Sequence, residues 1–348
     1  MTDTSPPVTS LPPPARTRSS RGATVAVLAA VVLAATLVAG VALGARDISP
    51  GDVVSVLLHP GGQSYDSHVL WTDRIPRTFL GLLVGAALGA SGLIMQALTM
   101  NPLSDPGILG VEQGASLFVV LGILFLGVTG VQGYFWLALA GSACAAALVY
   151  LIGTRTNTGS TTIGLVLAGV AMGAVMSSVI TLLVVRDRVA FAHLRAWSVG
   201  QLTGRAEALG QILPFAIAGL LLALTLGRSL NVLGLGDEAA RGLGVKVERA
   251  RLTAAAVAVL LCAAATAAIG PVAFVGLVGA HVARMLVGAD HRWSLPVAMA
   301  TGAVLLTVSD TAGRLVLDHG EIQVGVMTAI VGTPFFVWLA RRRDLVRV

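Results

Sequence analysis

The stretch "QALTMNPLSDPGILGVEQGAS" (residues 96–116) decides the fold, because it interrupts two long apolar runs with Asn101, Pro102, Asp105, Pro106 and Gly107 and adds a carboxylate at Glu112. Lipid offers no partner to a free backbone N–H or C=O, so such breakers are tolerable at membrane depth only where the chain is buried in protein, reaches water or lines a cavity. The stretch therefore reads as an ordered turn that carries the chain from one membrane span into the next. Gly110 and Gly114 would let the second of those spans pack tightly.

The rest of the chain supports a membrane setting. Its 348 residues are 55% hydrophobic and 11% charged, with a mean hydropathy of +0.86, which excludes an ordinary soluble domain. The net charge of +6 sits mainly at the ends of apolar runs, where it acts as an orientation signal and not as a nucleic-acid surface. Cys144 and Cys262 lie inside apolar runs without CxxC spacing, so neither a disulfide framework nor a structural zinc is implied. No HExxH or GxSxG occurs, and the only lysine, Lys246, follows Val245, so there is no phosphate-binding loop. No catalytic residue, metal site or cofactor is expected in this chain, and any ATP and magnesium must be handled by another subunit.

A crossing helix needs about 20 mostly apolar residues. On that criterion ten spans are expected, at 24–44, 76–98, 108–128, 134–153, 162–185, 208–227, 251–269, 272–287, 294–316 and 323–340. The run 251–287 could be one kinked helix or two antiparallel ones divided at Gly270-Pro271, and its length, about twice one crossing, favours two. Residues 1–22, rich in Pro, Ser and Thr, read as a disordered cytosolic tail, 23–343 as the transmembrane domain and 344–348 as a second cytosolic tail. A signal peptide is the rival reading of the N-terminus, but Ala23 to Gly44 is longer than an h-region of about 7–15 residues. Ten spans place both termini on one side, and the cytosolic assignment puts fifteen of the 23 basic residues inside.

Two connecting segments exceed what a connection needs. Residues 186–207 on the extracytoplasmic side mix charge with Phe191, Leu194 and Trp197 at the spacing of a short interfacial helix. Residues 228–250 on the cytosolic side place Gly234, Gly236, Gly242 and Gly244 around "DEAARGL", the pattern of short helices divided by turns. The surplus length suggests a docking surface, with a solvated loop as the plainer alternative.

Several motifs, in order, resemble one family: "RIPRTFLGLLVGAALGASGLIMQALTMNPLSDPGILGVEQGAS" (74–116), "LVLAGVAMG" (165–173), "LGLGDEAARGLGV" (233–245), "GPVAFVGLVGAHVARMLVGADHRWSLP" (270–296) and "QVGVMTAIVGTPFFVWLARRR" (323–343). They are similar to FecCD-type permease subunits of ABC importers for iron–siderophore complexes, haem and vitamin B12. Within the family "GADHRWSLP" and "LRAWSVGQL" look nearest to ferric-enterobactin permeases. Ala280 and Gln323 stand where the family usually has proline.

The resemblance implies an all-α polytopic membrane protein of about ten helices with the type II ABC importer permease fold, set in the bacterial cytoplasmic (inner) membrane. It implies a second permease, identical or homologous, with the path for a ferric siderophore between the two, two ATPase subunits on the cytosolic side and an extracytoplasmic binding protein. By resemblance Arg74, Arg77 and Arg314 meet acidic residues of that binding protein, which suits the planar guanidinium fork; arginines at span ends also snorkel to headgroups. Leu235, Gly236, Asp237, Glu238, Ala239, Ala240, Leu243 and Gly244 match the segment that couples to the ATPase. Asn101, Pro102, Thr161 and Thr162 are the gate or pathway candidates, with an ordinary N-cap as the alternative for the threonines.

Asp310 and Glu112 are acids within or beside spans, and could serve an ion-coupled secondary transporter, the competing class. For Asp310 a pair with Arg314, four residues on, is the simpler account. His281 and Arg284, three apart, read as facing a packing seam or the cytosol.

Overall fold

A computed structural model describes residues 17–44, 51, 53, 55, 56, 64–128, 130–155, 161–317 and 320–341. The fold is all-α. Its helices are α1 (Thr17–Ala42), α2 (Tyr65–Thr99), α3 (Val111–Leu126), α4 (Val131–Gly153), α5 (Thr161–Val185), α6 (Arg188–Ser198), α7 (Ala208–Thr225), α8 (Gly227–Leu233), α9 (Asp237–Gly242), α10 (Val247–Ile269), α11 (Val275–Val287), α12 (His291–Leu315) and α13 (Val324–Arg341). Among the described residues seven helices are long and apolar enough to cross a membrane, and α3, α11 and α13 are shorter apolar helices. Together they correspond to the ten expected spans.

Three helices make the core. The apolar windows of α2, α10 and α12 are 78%, 67% and 61% buried, against 17–33% for α1, α4, α5 and α7. Without a hydrophobic drive between helices in lipid, close backbone approach must supply the packing. α2 and α12 achieve it with small residues: a Cβ on Gly85 would sit 2.4 Å from the Gly302 carbonyl oxygen, and one on Gly89 would sit 2.2 Å from that of Ala298.

Helix ends follow the breakers. No proline or glycine pair interrupts the chain between Pro14 and the start of the apolar run, and α1 already begins at Thr17, inside the stretch expected to be a tail. The rest of that stretch, 1–16, and the C-terminal tail 344–348 lie outside the described residues. α2 reaches back to Tyr65, well before the expected start at 76, and takes a π turn over Leu70–Arg74. Pro76 has no N–H to give to the preceding turn, so a wider turn accommodates it.

The run expected to divide at Gly270-Pro271 does divide there. Gly270, at φ +87°, ends α10, and the backbone runs without helix to Phe274 before α11 begins. α11 has only 13 residues. Phe274, itself at φ +70°, is held against Gly332 of α13, where a Cβ would come within 2.5 Å of its own. The irregular segment is thus packed in protein, as the absence of water at that depth demands.

The bundle has two ends. One carries α6, the start of α2 and the end of α12; the other carries α8, α9, the end of α2 and the starts of α3, α5 and α10.

Candidate functional site

The turn after α2 is built by its own side chains. Met100 caps the helix in the left-handed region at φ +50°. Asn101 Oδ1 accepts from Leu103 N at 3.0 Å, Thr99 Oγ1 donates to Ser104 Oγ at 2.6 Å, and Asp105 Oδ1 accepts from Gly107 N at 2.8 Å, capping a 3-10 turn over Pro106–Leu109. That turn enters the bundle: a Cβ on Gly169, two helical turns into α5, would lie 2.0 Å from the Ile108 carbonyl oxygen. Gly114 then brings α3 against α4, where its Cβ would meet Ala145 Cβ and the Gly141 oxygen, each at 2.4 Å. Asn101 is exposed and Pro102 half-buried. Thr161 and Thr162 open α5, and their side chains lie outside the described set.

At the same end α9 stands on the surface. Gly236 at φ +94° and Gly244 at φ +80° bracket it, conformations a side chain would strain. Leu235, Glu238, Ala239 and Leu243 are exposed while Ala240 is buried beneath them. Asp237, in the first turn of α9, receives two hydrogen bonds from Arg251 of α10, at 2.8 and 3.0 Å. Asn231 of α8 ties in the α12 start: its Nδ2 donates to Asp290 Oδ1 at 2.7 Å, and its Oδ1 accepts from His291 N at 2.8 Å. Burial pushes the Asp290 carboxyl up, but the Asn231 and Arg292 hydrogen bonds outweigh it and hold the group below the ordinary carboxylate range. A cavity of about 330 Å³ lies beside this assembly, bounded by Leu98, Thr99, Ile108, Leu165 and Arg251. The turn, the start of α5 and the α9 anchor therefore border one space.

At the α6 end the expected docking arginines are placed differently from a surface patch. Arg74, Arg77 and Arg314 are only 2–3% exposed. Arg74 Nη1 donates to the Ala42 oxygen at 2.9 Å. Arg77 holds Asp310 through Nη2 at 2.7 Å and Nε at 3.0 Å, and Glu321 through Nη1 at 2.9 Å. Arg314 reaches Asp310 at 3.1 Å and the oxygens of Gly40 and Leu43 at 3.1 and 3.2 Å. Thr203, from the connection after α6, donates to Glu321 at 2.8 Å. The three arginines thus face inward and fasten α1, α2, α12 and the loops that carry Leu43 and Glu321. Carbonyls at the end of α1 and the Asp310 carboxylate lie within reach, and a buried guanidinium is stable only with such partners. α6 completes this end, capped by Asp187 and anchored by Trp197, which is 1% exposed.

Glu321, Thr203, Arg251, Asn231 and Asp290 escaped the sequence reading, since none sits in a periodic pattern and their partners are far along the chain. Asp310 did pair with Arg314 as expected, although its stronger partner is Arg77. Among the described residues no group of three or more His, Cys, Asp or Glu could hold a metal ion.

A short helix tethered to the most buried spans, beside a packed re-entrant turn in a many-spanning bundle, defines a transport permease. The chain belongs to the FecCD transport family, whose model matches residues 31–342, the permease subunits of importers for iron–siderophore complexes, haem and vitamin B12. It is 41% identical over 303 residues to the ferric enterobactin transport system permease FepD of Escherichia coli (strain K12), covering 86% of this chain and 90% of FepD. It is 39% identical over 280 residues to the cobalamin import system permease BtuC of Halobacterium salinarum (strain ATCC 700922 / JCM 11081 / NRC-1), covering 80% and 74%. A solved inward-facing conformation of a candidate metal-chelate type ABC transporter matches with a TM-score of 0.80 at 28% identity, over 92% of this chain and 99% of the other.

Proposed function

We propose that the protein is a permease subunit of an ATP-driven importer of a ferric siderophore, paired with a second permease across the translocation path. Two ATPase subunits would dock on α9 and its flanks, and a binding protein would deliver the cargo at the α6 end. The α9 end is then cytosolic, with both termini, as the positive-inside count suggests.

The observation that carries this reading is the anchoring of α9. An exposed helix with Leu235, Ala239 and Leu243 outward offers a partner a small apolar surface, and the Asp237–Arg251 fork passes its displacement to α10, a core helix. Two-pronged attachment resists rotation, so α9 and α10 move as one lever. The adjoining cavity, bordered by the turn after α2 and by α5, leaves room for that movement.

Binding-protein docking at the α6 end would use the rim that the buried arginines hold in shape. Glu321 is the more exposed member of that cluster, at 28% against 3% for Arg77. Asp310, one of the two acids a proton-coupled mechanism could use, is engaged by both Arg77 and Arg314, which argues against a proton role for that acid.

Cargo is the finer step. Identity to FepD and to BtuC is nearly equal, and the siderophore reading leans on the segments "GADHRWSLP" and "LRAWSVGQL". The test is uptake into vesicles holding the permease with its partner ATPase and binding protein, supplied in turn with a ferric siderophore, haem and cobalamin. ATP-dependent entry of the siderophore that survives collapse of ion gradients is expected. Entry of only haem or cobalamin would overturn the cargo, and entry driven by a gradient alone would overturn the class.

A further inference from the structure

At the α9 end, where α2 meets α11, four buried side-chain nitrogens find no hydrogen-bond partner among the described residues: Gln96 Nε2, His281 Nε2, and Arg284 Nε and Nη1. The side chains are closed off, with Gln96 0%, His281 1% and Arg284 2% exposed. Arg284 Nη2 donates to Gln96 Oε1, a neutral acceptor. His281 lies three residues before Arg284 on α11, on the same helix face. None of the ion pairs among the described residues includes Arg284.

This differs from the treatment of Arg77 and Arg314, which are as deeply buried and are compensated by Asp310. A guanidinium out of water without a counter-charge is among the costliest arrangements in a protein. The free positions around Arg284 are amide and guanidinium donors, with an imidazole nitrogen that can donate as well. Such a set calls for an acceptor carrying negative charge. Its enclosure calls for a small one.

We propose that Arg284, with the Gln96 amide and the His281 imidazole, forms a binding site for a halide-sized monovalent anion, chloride under ordinary conditions. The Gln96 backbone oxygen accepts from Met100 N and Asn101 N at the cap of α2. An anion at this point therefore fastens α11 to the residue from which the re-entrant turn springs.

The test uses the full-length permease with its partner subunits in lipid nanodiscs at constant ionic strength. Replacing chloride with gluconate should lower the Tm by roughly 5 °C, and bromide should restore it. Bromide soaked into crystals should give an anomalous peak within hydrogen-bond distance of the Arg284 side chain. Gln96→Glu supplies the missing carboxylate internally and should fold with a Tm indifferent to chloride. Equal wild-type Tm in chloride and gluconate would overturn the site, as would a Gln96→Glu variant that keeps the full chloride response. Stabilisation by phosphate but not by bromide would overturn the halide assignment.

Discussion

Arg77 of α2 and Asp310 of α12, 233 residues apart in sequence, are joined by three hydrogen bonds of 2.7, 3.0 and 3.2 Å inside the protein. Arg314 leans on the same carboxylate from one turn away. Asp310→Asn would leave both guanidinium groups without their shared charge while keeping the side-chain shape. Removing one partner of a buried pair costs about 3–5 kcal/mol, so a marked fall in Tm is expected in detergent or nanodisc. An unchanged Tm would mean that the cluster is solvated in the membrane and holds nothing together.

Glu321 gives this end a pH dependence. Burial favours its neutral form, but hydrogen bonds from Thr203 and Arg77 and the charge of Arg77 prevail, so its pKa lies below the ordinary 4.5. A depressed carboxylate stabilises the fold fully above its unfolded pKa and loses that contribution as the pH falls through the folded value. Wild type should therefore lose Tm below about pH 4.5, more steeply than Glu321→Gln, which has already lost the charge. Parallel profiles for the two proteins would contradict this.

The contact between α2 and α12 tolerates no added atom at Gly89. A methyl there would sit 2.2 Å from the Ala298 oxygen, a backbone atom that cannot step aside. Gly89→Ala should destabilise by at least the ~1–3 kcal/mol typical of overpacking, read as a loss of monodisperse protein on size-exclusion chromatography. Gly210→Ala, at a position with open space, is the matched control. Equal yields would show that the helices separate more readily than their packing implies.

Much of the architecture was legible in the sequence because lipid imposes a length and a composition on each span. The Gly270-Pro271 division and the turn at 99–107 were legible because breakers at depth have few solutions, although the turn runs on through Leu109 before α3 begins. The shortness of α11 was not, since Val272, Ala273 and Phe274 are apolar enough to continue a helix, and Phe274 instead takes a left-handed conformation packed on Gly332. The inward contacts of the arginines were not legible either, for a related reason. A basic residue at a span end looks the same whether it faces water or turns inward, and what decides is a partner such as Asp310 or the Gly40 carbonyl, which lies on another helix. The α9 segment could be placed from its glycines, but its anchor, Arg251, resembled one more orientation charge. Asn101 and Pro102 build the turn, and nothing in their geometry assigns them a contact with cargo.

In the proposed mechanism α9 drives the spans through Arg251. The pair it forms with Asp237 is 25% and 35% exposed, so its worth to stability is about 0–1 kcal/mol and a broken fork should still leave a folded protein. The direct measurement is the number of cargo molecules imported per ATP hydrolysed in vesicles containing the permease, ATPase and binding protein. Arg251→Gln should keep hydrolysis while cutting import roughly ten-fold, equivalent to about 1.4 kcal/mol of lost coupling, and the exchanged pair Asp237→Arg with Arg251→Asp should recover much of it. Wild-type import per ATP in Arg251→Gln would contradict the claim.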